Sequence, residues 1–342
     1  MEVLPELTAA STNSVLTSAV NTLAVTLLSG GPVARTVSLS SAWESYSLAL
    51  TSLRDELRSA SGSPSRPSEI IGAIMCLLLS EIHLNTNLRS WTAHLEGFAQ
   101  SVRLAGPQLF SSGVPHKLFV GACPLLVSFK RLGDITQLLV AHAGYWPQVV
   151  LSFFIRKKSF LDSDEWRRVP FAEVPPSLFH QLFGKALAIP TILEKIEEAA
   201  TAPRESAVST AEDSVRQLIA VLDALELWKD DFQGREASPP VFGGVVAERG
   251  SREWPPLWFQ SITDCNAASH FWAFRAICLA TIDQLDAEYP EIAFDRQRLA
   301  TRMAAGSVFE EMRQLSTWIC QCVGMAILSL TFPYPQTALK EE

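Results

Sequence analysis

No two cysteines of this chain stand in a C-x-x-C pair. The six, Cys76, Cys123, Cys265, Cys278, Cys320 and Cys322, are scattered, which excludes the common zinc-finger and zinc-ribbon spacings and leaves reduced core thiols as the simplest reading. Histidine is equally sparse. His83, His94, His116, His142, His180 and His270 form no His-x-x-x-His or His-Glu-x-x-His pair, so no metal site is expected. Gly-x-Ser-x-Gly, Gly-x-x-x-x-Gly-Lys and Gly-x-Gly-x-x-Gly are all missing, which disfavours hydrolase, nucleotide-dependent and dinucleotide-dependent chemistry. No cofactor is expected.

Long apolar runs are missing too. The longest, Ile70 to Leu79, contains Gly72 and stops at Ser80-Glu81, well short of the roughly 20 residues that span a bilayer. It reads as a buried helix, and no membrane contact is expected. Basic residues are outnumbered, 28 Lys and Arg against 36 Asp and Glu, for a net charge of −8. Only Arg156-Lys157-Lys158 and Arg167-Arg168 cluster, so direct binding to nucleic acid, which rests on released counterions, is disfavoured. Glu2 and Glu6 sit where a secretory signal would carry positive charge, and the expected location is intracellular, in cytoplasm or nucleus.

What is abundant is helical periodicity. Trp43, Tyr46, Leu50, Leu53 and Leu57 recur at steps of three and four, and Val215, Leu218, Ile219, Leu222 and Leu225 make another apolar stripe on one helix face. Phe271, Phe274, Cys278, Thr281 and Leu285 repeat the pattern, and so do Met312, Leu315, Ile319, Val323 and Ile327. The fold class is expected to be all-α, a bundle or array of about ten or eleven helices without a substantial sheet. Helices are expected near 5–29, 38–60, 68–84, 88–104, 114–130, 132–142, 146–157, 176–199, 208–231, 266–287 and 296–330. Ser65 or Ser68 suits the cap of the third, with Pro67 in its first turn, and Asp264 suits another N-cap. Residues 234–258, with Gly243-Gly244, Gly250 and Pro255-Pro256, read as the longest irregular loop. Within it, Pro240 to Val246 is the best short strand candidate. With 48% hydrophobic residues, the chain 1–342 is expected to fold as a single helical domain.

One group of residues resembles a known family. Glu81-Ile82-His83-Leu84 is followed by Ser90-Trp91-Thr92-Ala93-His94-Leu95-Glu96-Gly97 and then by Arg103-Leu104-Ala105-Gly106-Pro107. This is similar to the helix pair of the fungal-specific transcription factor domain, the helical regulatory half of zinc binuclear cluster activators. Ala42 to Leu57, Asn266 to Leu285 with Trp272-Ala273-Phe274-Arg275, and Ser316 to Cys322 resemble further segments of that family. The resemblance implies a regulatory role, and it begins so near Met1 that no zinc cluster is expected before it. The sequence then reads either as an excerpt of a longer activator or as a relative that has lost DNA binding.

Two functions follow from that reading. In the first, the chain binds a small apolar metabolite or a partner helix, homodimerisation included, in secondary metabolism. In the second, it is a cofactor-independent cyclase or isomerase acting on a polyketide or terpenoid intermediate, because an aromatic cavity that orients a reactive substrate needs few nucleophiles. Trp91, Phe98, Trp146, Trp254, Trp258 and Trp272 are the candidates to line such a cavity, since ligand sites are largely aromatic with a few polar groups. His94, Tyr145, His270 and Arg275 are the candidate polar, catalytic members. His94 shares a helix face with Trp91, and Glu81 is expected either to pair across a helix interface or to end its helix in water. Asp230-Asp231-Phe232-Gln233-Gly234-Arg235-Glu236 is similar to the Asp-rich motif of class I terpene cyclases. It departs from that motif in its displaced third acid, in Gly234, read as a helix breaker, and in the missing partner motif.

Overall fold

A computed structural model describes residues 14–30, 37–59, 66–84, 88–126, 159–235, 241–242, 257–259, 261–294, 296–300, 303 and 306–331. These residues are helical almost throughout, and their contacts fall into two units: one within 1–155 and 159–175, the other from Pro176 onward together with 156–158. Each unit is built separately from apolar helix faces.

In the first unit, α1 (Ser14–Gly30) packs on α2 (Leu39–Ser59) and on α3 (Pro67–Leu84), and α3 packs on α4 (Leu88–Ala105). The face that α2 buries is Ala42, Tyr46, Ala49 and Leu53. The expected stripe is therefore rotated: Trp43 and Leu57 are exposed, and the small Ala42 and Ala49 go inside, where they let a neighbouring helix approach. Helix α3 buries Ile70, Ile71, Ala73, Ile74, Cys76, Leu77 and Leu78, residues from every side of the helix, as the continuous apolar run implies. Pro67 is its first residue, where a missing N–H costs nothing. Ser68 is thus inside the helix rather than its cap. Helix α4 buries Trp91, Leu95, Phe98 and Val102, spaced at i, i+4, i+7 and i+11. It stops at Gly106, whose φ of 77° a side chain would strain, and Pro107 begins a 3-10 turn (Pro107–Phe110).

Helix α5 (Gly113–Leu126) follows, then, beyond residues 127–158, a 3-10 turn (Phe160–Asp162), the short α6 (Asp164–Arg168) and a 3-10 turn (Val169–Phe171). Phe110, Phe119 and Trp166 meet here with ring centroids 5.3 to 5.9 Å apart, and Phe160 sets its edge on Trp166 at 4.9 Å. The helices expected at 132–142 and 146–157 lie outside the described residues. The turns at 160–171 escape a periodicity search because each is only three to five residues long.

The second unit contains α7 (Leu178–Ala186), α8 (Ala188–Ala199), α9 (Arg204–Arg235), α10 (Ile262–Glu288), α11 (Arg296–Ala300) and α12 (Val308–Thr331). The single helix expected at 176–199 is two. Pro190 has no N–H for the carbonyl of Ala186 and its ring would collide there, so the chain turns at Leu187. The helix expected at 296–330 is likewise divided, with Gly306 at φ 78° before α12, and Ser307 then accepts the amide of Glu310 at 3.2 Å. Asp264 is not a cap. Ser261 is, its Oγ accepting the Asp264 amide at 3.1 Å and donating to Asp264 Oδ2 at 2.5 Å.

Helix α9 packs on α7, α8 and α10, and α10 packs on α12. Trp228, almost fully buried, ties α9 to α7 by donating Nε1–H to the Leu178 carbonyl at 2.8 Å, and it stacks on Phe232 and Phe271. Gly234 does not break α9, which runs to Arg235. Within the expected irregular stretch, β1 (Val241–Phe242) pairs antiparallel with β2 (Leu257–Trp258), Val241 opposite Trp258. Of the strand candidate Pro240 to Val246, the described residues Val241 and Phe242 are in a strand. No described helix is long and apolar enough to cross a membrane.

Candidate functional site

A carboxylate sits where the apolar α3 reaches its last turn. Glu81 is 2% exposed, and an ionised carboxylate at that depth is costly unless it is paired. Its partners come from the two helices nearest in sequence. Tyr46 of α2 donates its phenol to Glu81 Oε1 at 2.5 Å. His94 of α4 places Nδ1 3.2 Å from Glu81 Oε2 and 3.3 Å from the Tyr46 oxygen. The His94 to Oε2 contact lies within ion-pair range but is not aligned as a hydrogen bond, and Oε2 has no other hydrogen-bonding partner. Burial, reinforced by the bond to Glu81 and its negative charge, pushes the Tyr46 phenol well above the usual tyrosine range. Tyr46 therefore stays a proton donor at any physiological pH.

This node joins α2, α3 and α4. The His94 side chain is 29% exposed and is the node's contact with solvent, an imidazole that touches a buried carboxylate. Glu81 and His94 both stand out in the sequence, and the structure makes them partners. In the sequence Tyr46 is one member of an apolar stripe. The available signal was its hydroxyl, since a tyrosine on a buried face needs a hydrogen-bond partner.

The other polar candidates have separate partners in the second unit. Arg275 of α10, 4% exposed, donates Nε–H to Glu311 of α12 at 2.9 Å and pairs through Nη1 with Glu226 of α9, which also pairs with Lys229. His270, one and a half turns earlier, donates Nδ1–H to the Asn266 carbonyl at 2.6 Å, and its buried Nε2 has no hydrogen-bond partner. Phe179, Phe183 and Phe274 surround the ring at centroid distances of 5.3 to 5.9 Å. Burial in that setting holds the His270 pKa down to about 4, against a small opposing effect of the Asn266 carbonyl. The imidazole is neutral at pH 7. Tyr145 lies outside the described residues.

The aromatic candidates are divided as well. Trp91 and Phe98 are buried on α4 in the first unit, and the Trp91 Nε1–H has no hydrogen-bond partner. Trp272 belongs to the second unit, against Trp318 at 5.3 Å and Phe259 at 6.3 Å. The Trp258 backbone lies in β2, while Trp146 and Trp254 fall outside the described residues. Among the described residues are surface clefts of about 350 Å³ beside Lys195 and Ser214 and about 310 Å³ beside Arg216 and Phe294. None of the six aromatic candidates lines either cleft. Among the described residues, no three His, Cys, Asp or Glu side chains are placed to hold a metal ion.

A family model for the fungal specific transcription factor domain matches residues 6–239, more than half of the chain, and the chain belongs to that family. The matched stretch takes in the Tyr46–Glu81–His94 node and continues through α9. The resemblances noted at 266–285 and 316–322 lie beyond it. No curated protein and no solved structure matches the chain.

Proposed function

We propose that this family member is a regulatory module that acts by binding a small metabolite or a partner protein, not by catalysing a reaction and not by gripping DNA with these residues. The observation that carries the proposal is the node at Glu81. A buried carboxylate clamped by Tyr46 and approached by a partly exposed His94 couples three helices to one solvent-facing imidazole. An occupant that contacts His94 or shifts α4 would therefore be felt by α2 and α3, which is what a binding-responsive domain requires. Support also comes from Arg275, bound in an ion-pair network, and from His270, engaged with its own helix backbone. A net charge of −8 opposes accumulation on phosphates. Such a role places the protein in the cytoplasm or the nucleus.

The test is a reporter strain in which the chain is fused to an unrelated DNA-binding module. Expression should alter reporter output, and Tyr46→Phe or His94→Ala should change that response without loss of the protein. Turnover of a polyketide or terpenoid intermediate that depends on His270 or Arg275, with an unresponsive reporter, would replace regulation by cyclase or isomerase catalysis. Tight association of the chain alone with duplex DNA, weakening steeply with salt, would overturn the remainder.

A further inference from the structure

The cleft between α8 and α9 is lined mostly by polar side chains. The two helices are joined by a turn at 200–203 and pack against each other. Lys195, Glu198 and Ala199 recur at i, i+3 and i+4 on α8, and Ser206, Thr210, Asp213, Ser214 and Gln217 follow the same spacing rule along α9. Small side chains at Ala199, Ser206, Thr210 and Ser214 leave a space of about 350 Å³, the lower end of the roughly 300–1,000 Å³ of small-molecule sites.

Its floor holds an unsatisfied group. Ser214 is 1% exposed, and its hydroxyl has no hydrogen-bond partner. A helical serine usually donates to the carbonyl four residues back, as Ser80, Ser101 and Ser269 do in this chain. Ser214 forgoes that bond, and its buried hydroxyl leaves both a donor and an acceptor unmatched beneath the cleft lining. The rim carries both signs of charge. Lys195 has no ion-pair partner among the described residues, and neither does Glu198, whereas Asp213 is held by Arg216 at 2.6 Å.

We infer that this cleft is a binding site for a small zwitterion of the α-amino-acid type, its carboxylate on Lys195, its ammonium on Glu198, and a polar atom reaching Ser214. The paired Asp213 leaves one cation and one anion for the occupant, which matches a single carboxylate and a single ammonium. The lack of aromatic lining excludes the apolar metabolites expected of an aromatic pocket. The inference is independent of the regulatory proposal, because the cleft and the Glu81 node share no residue.

The test is calorimetric titration of the full chain with each of the twenty standard L-amino acids. Saturable binding of one of them, or of a few with related side chains, is expected. Lys195→Ala should weaken it about tenfold, the size of one charge-assisted hydrogen bond, and Ser214→Leu, which fills the cleft, should abolish it. Lys195 is on the surface, so Lys195→Ala keeps the test valid even if Ser214→Leu fails to fold. Absence of saturable binding by all twenty, or binding that survives Lys195→Ala unchanged, would overturn the assignment.

Discussion

Acidification should destabilise the second unit through His270, by an amount that follows from its surroundings. The folded imidazole is buried among Phe179, Phe183 and Phe274 and titrates at about 4, whereas an unfolded histidine titrates near 6.5. Between those values the unfolded chain binds a proton that the folded chain refuses, so stability present above pH 6.5 is lost as pH falls toward 4. At pH 5 the unfolded side chain is about 1.5 pH units below its pKa. At roughly 1.4 kcal/mol per unit, His270 alone then costs about 2 kcal/mol relative to pH 8. The comparison to make is urea unfolding of the parent and of His270→Phe at pH 8 and pH 5. Phenylalanine suits the aromatic surroundings and has nothing to protonate. It also loses the bond to the Asn266 carbonyl, about 1 kcal/mol at most and equal at both pH values. The parent should lose about 2 kcal/mol more than the variant over that pH step, all other titrating groups being common to both. Equal losses in the two proteins would refute the reasoning and mean that the folded imidazole accepts a proton readily.

Tyr46→Phe removes the donor that holds Glu81 and should cost about 2 kcal/mol, the worth of a hydrogen bond to a charged group. Adding Glu81→Gln should recover part of that loss, and a double-mutant cycle by urea unfolding that returned no coupling would contradict the node. Arg275→Met leaves the Glu311 carboxylate, 5% exposed, without its ion pair to Arg275 and should cost about 3–5 kcal/mol in the same assay; Arg275→Lys should rescue only part, lacking the planar fork that reaches both Glu226 and Glu311. Ser214→Ala should raise thermal stability, by about 1 kcal/mol, because a buried hydroxyl without a partner is removed and alanine favours the helix. A lower melting temperature for that variant would show that the hydroxyl has an intramolecular role.

The parts of the fold that could be read from the residues are those set by local rules. A continuous apolar run makes α3 whether or not its neighbours are known, and the breaks at Pro190 and Gly306 obey backbone sterics present in the sequence, although periodicity alone runs across both. The cap of α10 lies three residues before the expected Asp264, because Ser261 and Asp264 bond to each other and either suits a cap until the first turn is located.

The candidate site is less legible for a different reason. Which side of α2 is buried depends on how closely α1 and α3 approach, and a rotation of about 100° per residue decides whether Trp43 or Ala42 goes inside. Tyr46 lies between the two alternatives, and its partner is 35 residues away in sequence. No helix-spacing rule connects positions on three separate helices, so a buried acid such as Glu81 predicts that partners must exist without saying which they are. The same holds for Arg275, whose two carboxylates arrive from α9 and α12. Apolar periodicity marks the faces that meet, and the charges buried between them fix which helices must meet. A substitution at Glu81 or Arg275 should therefore disturb helix pairing more than any single aliphatic change on the same faces.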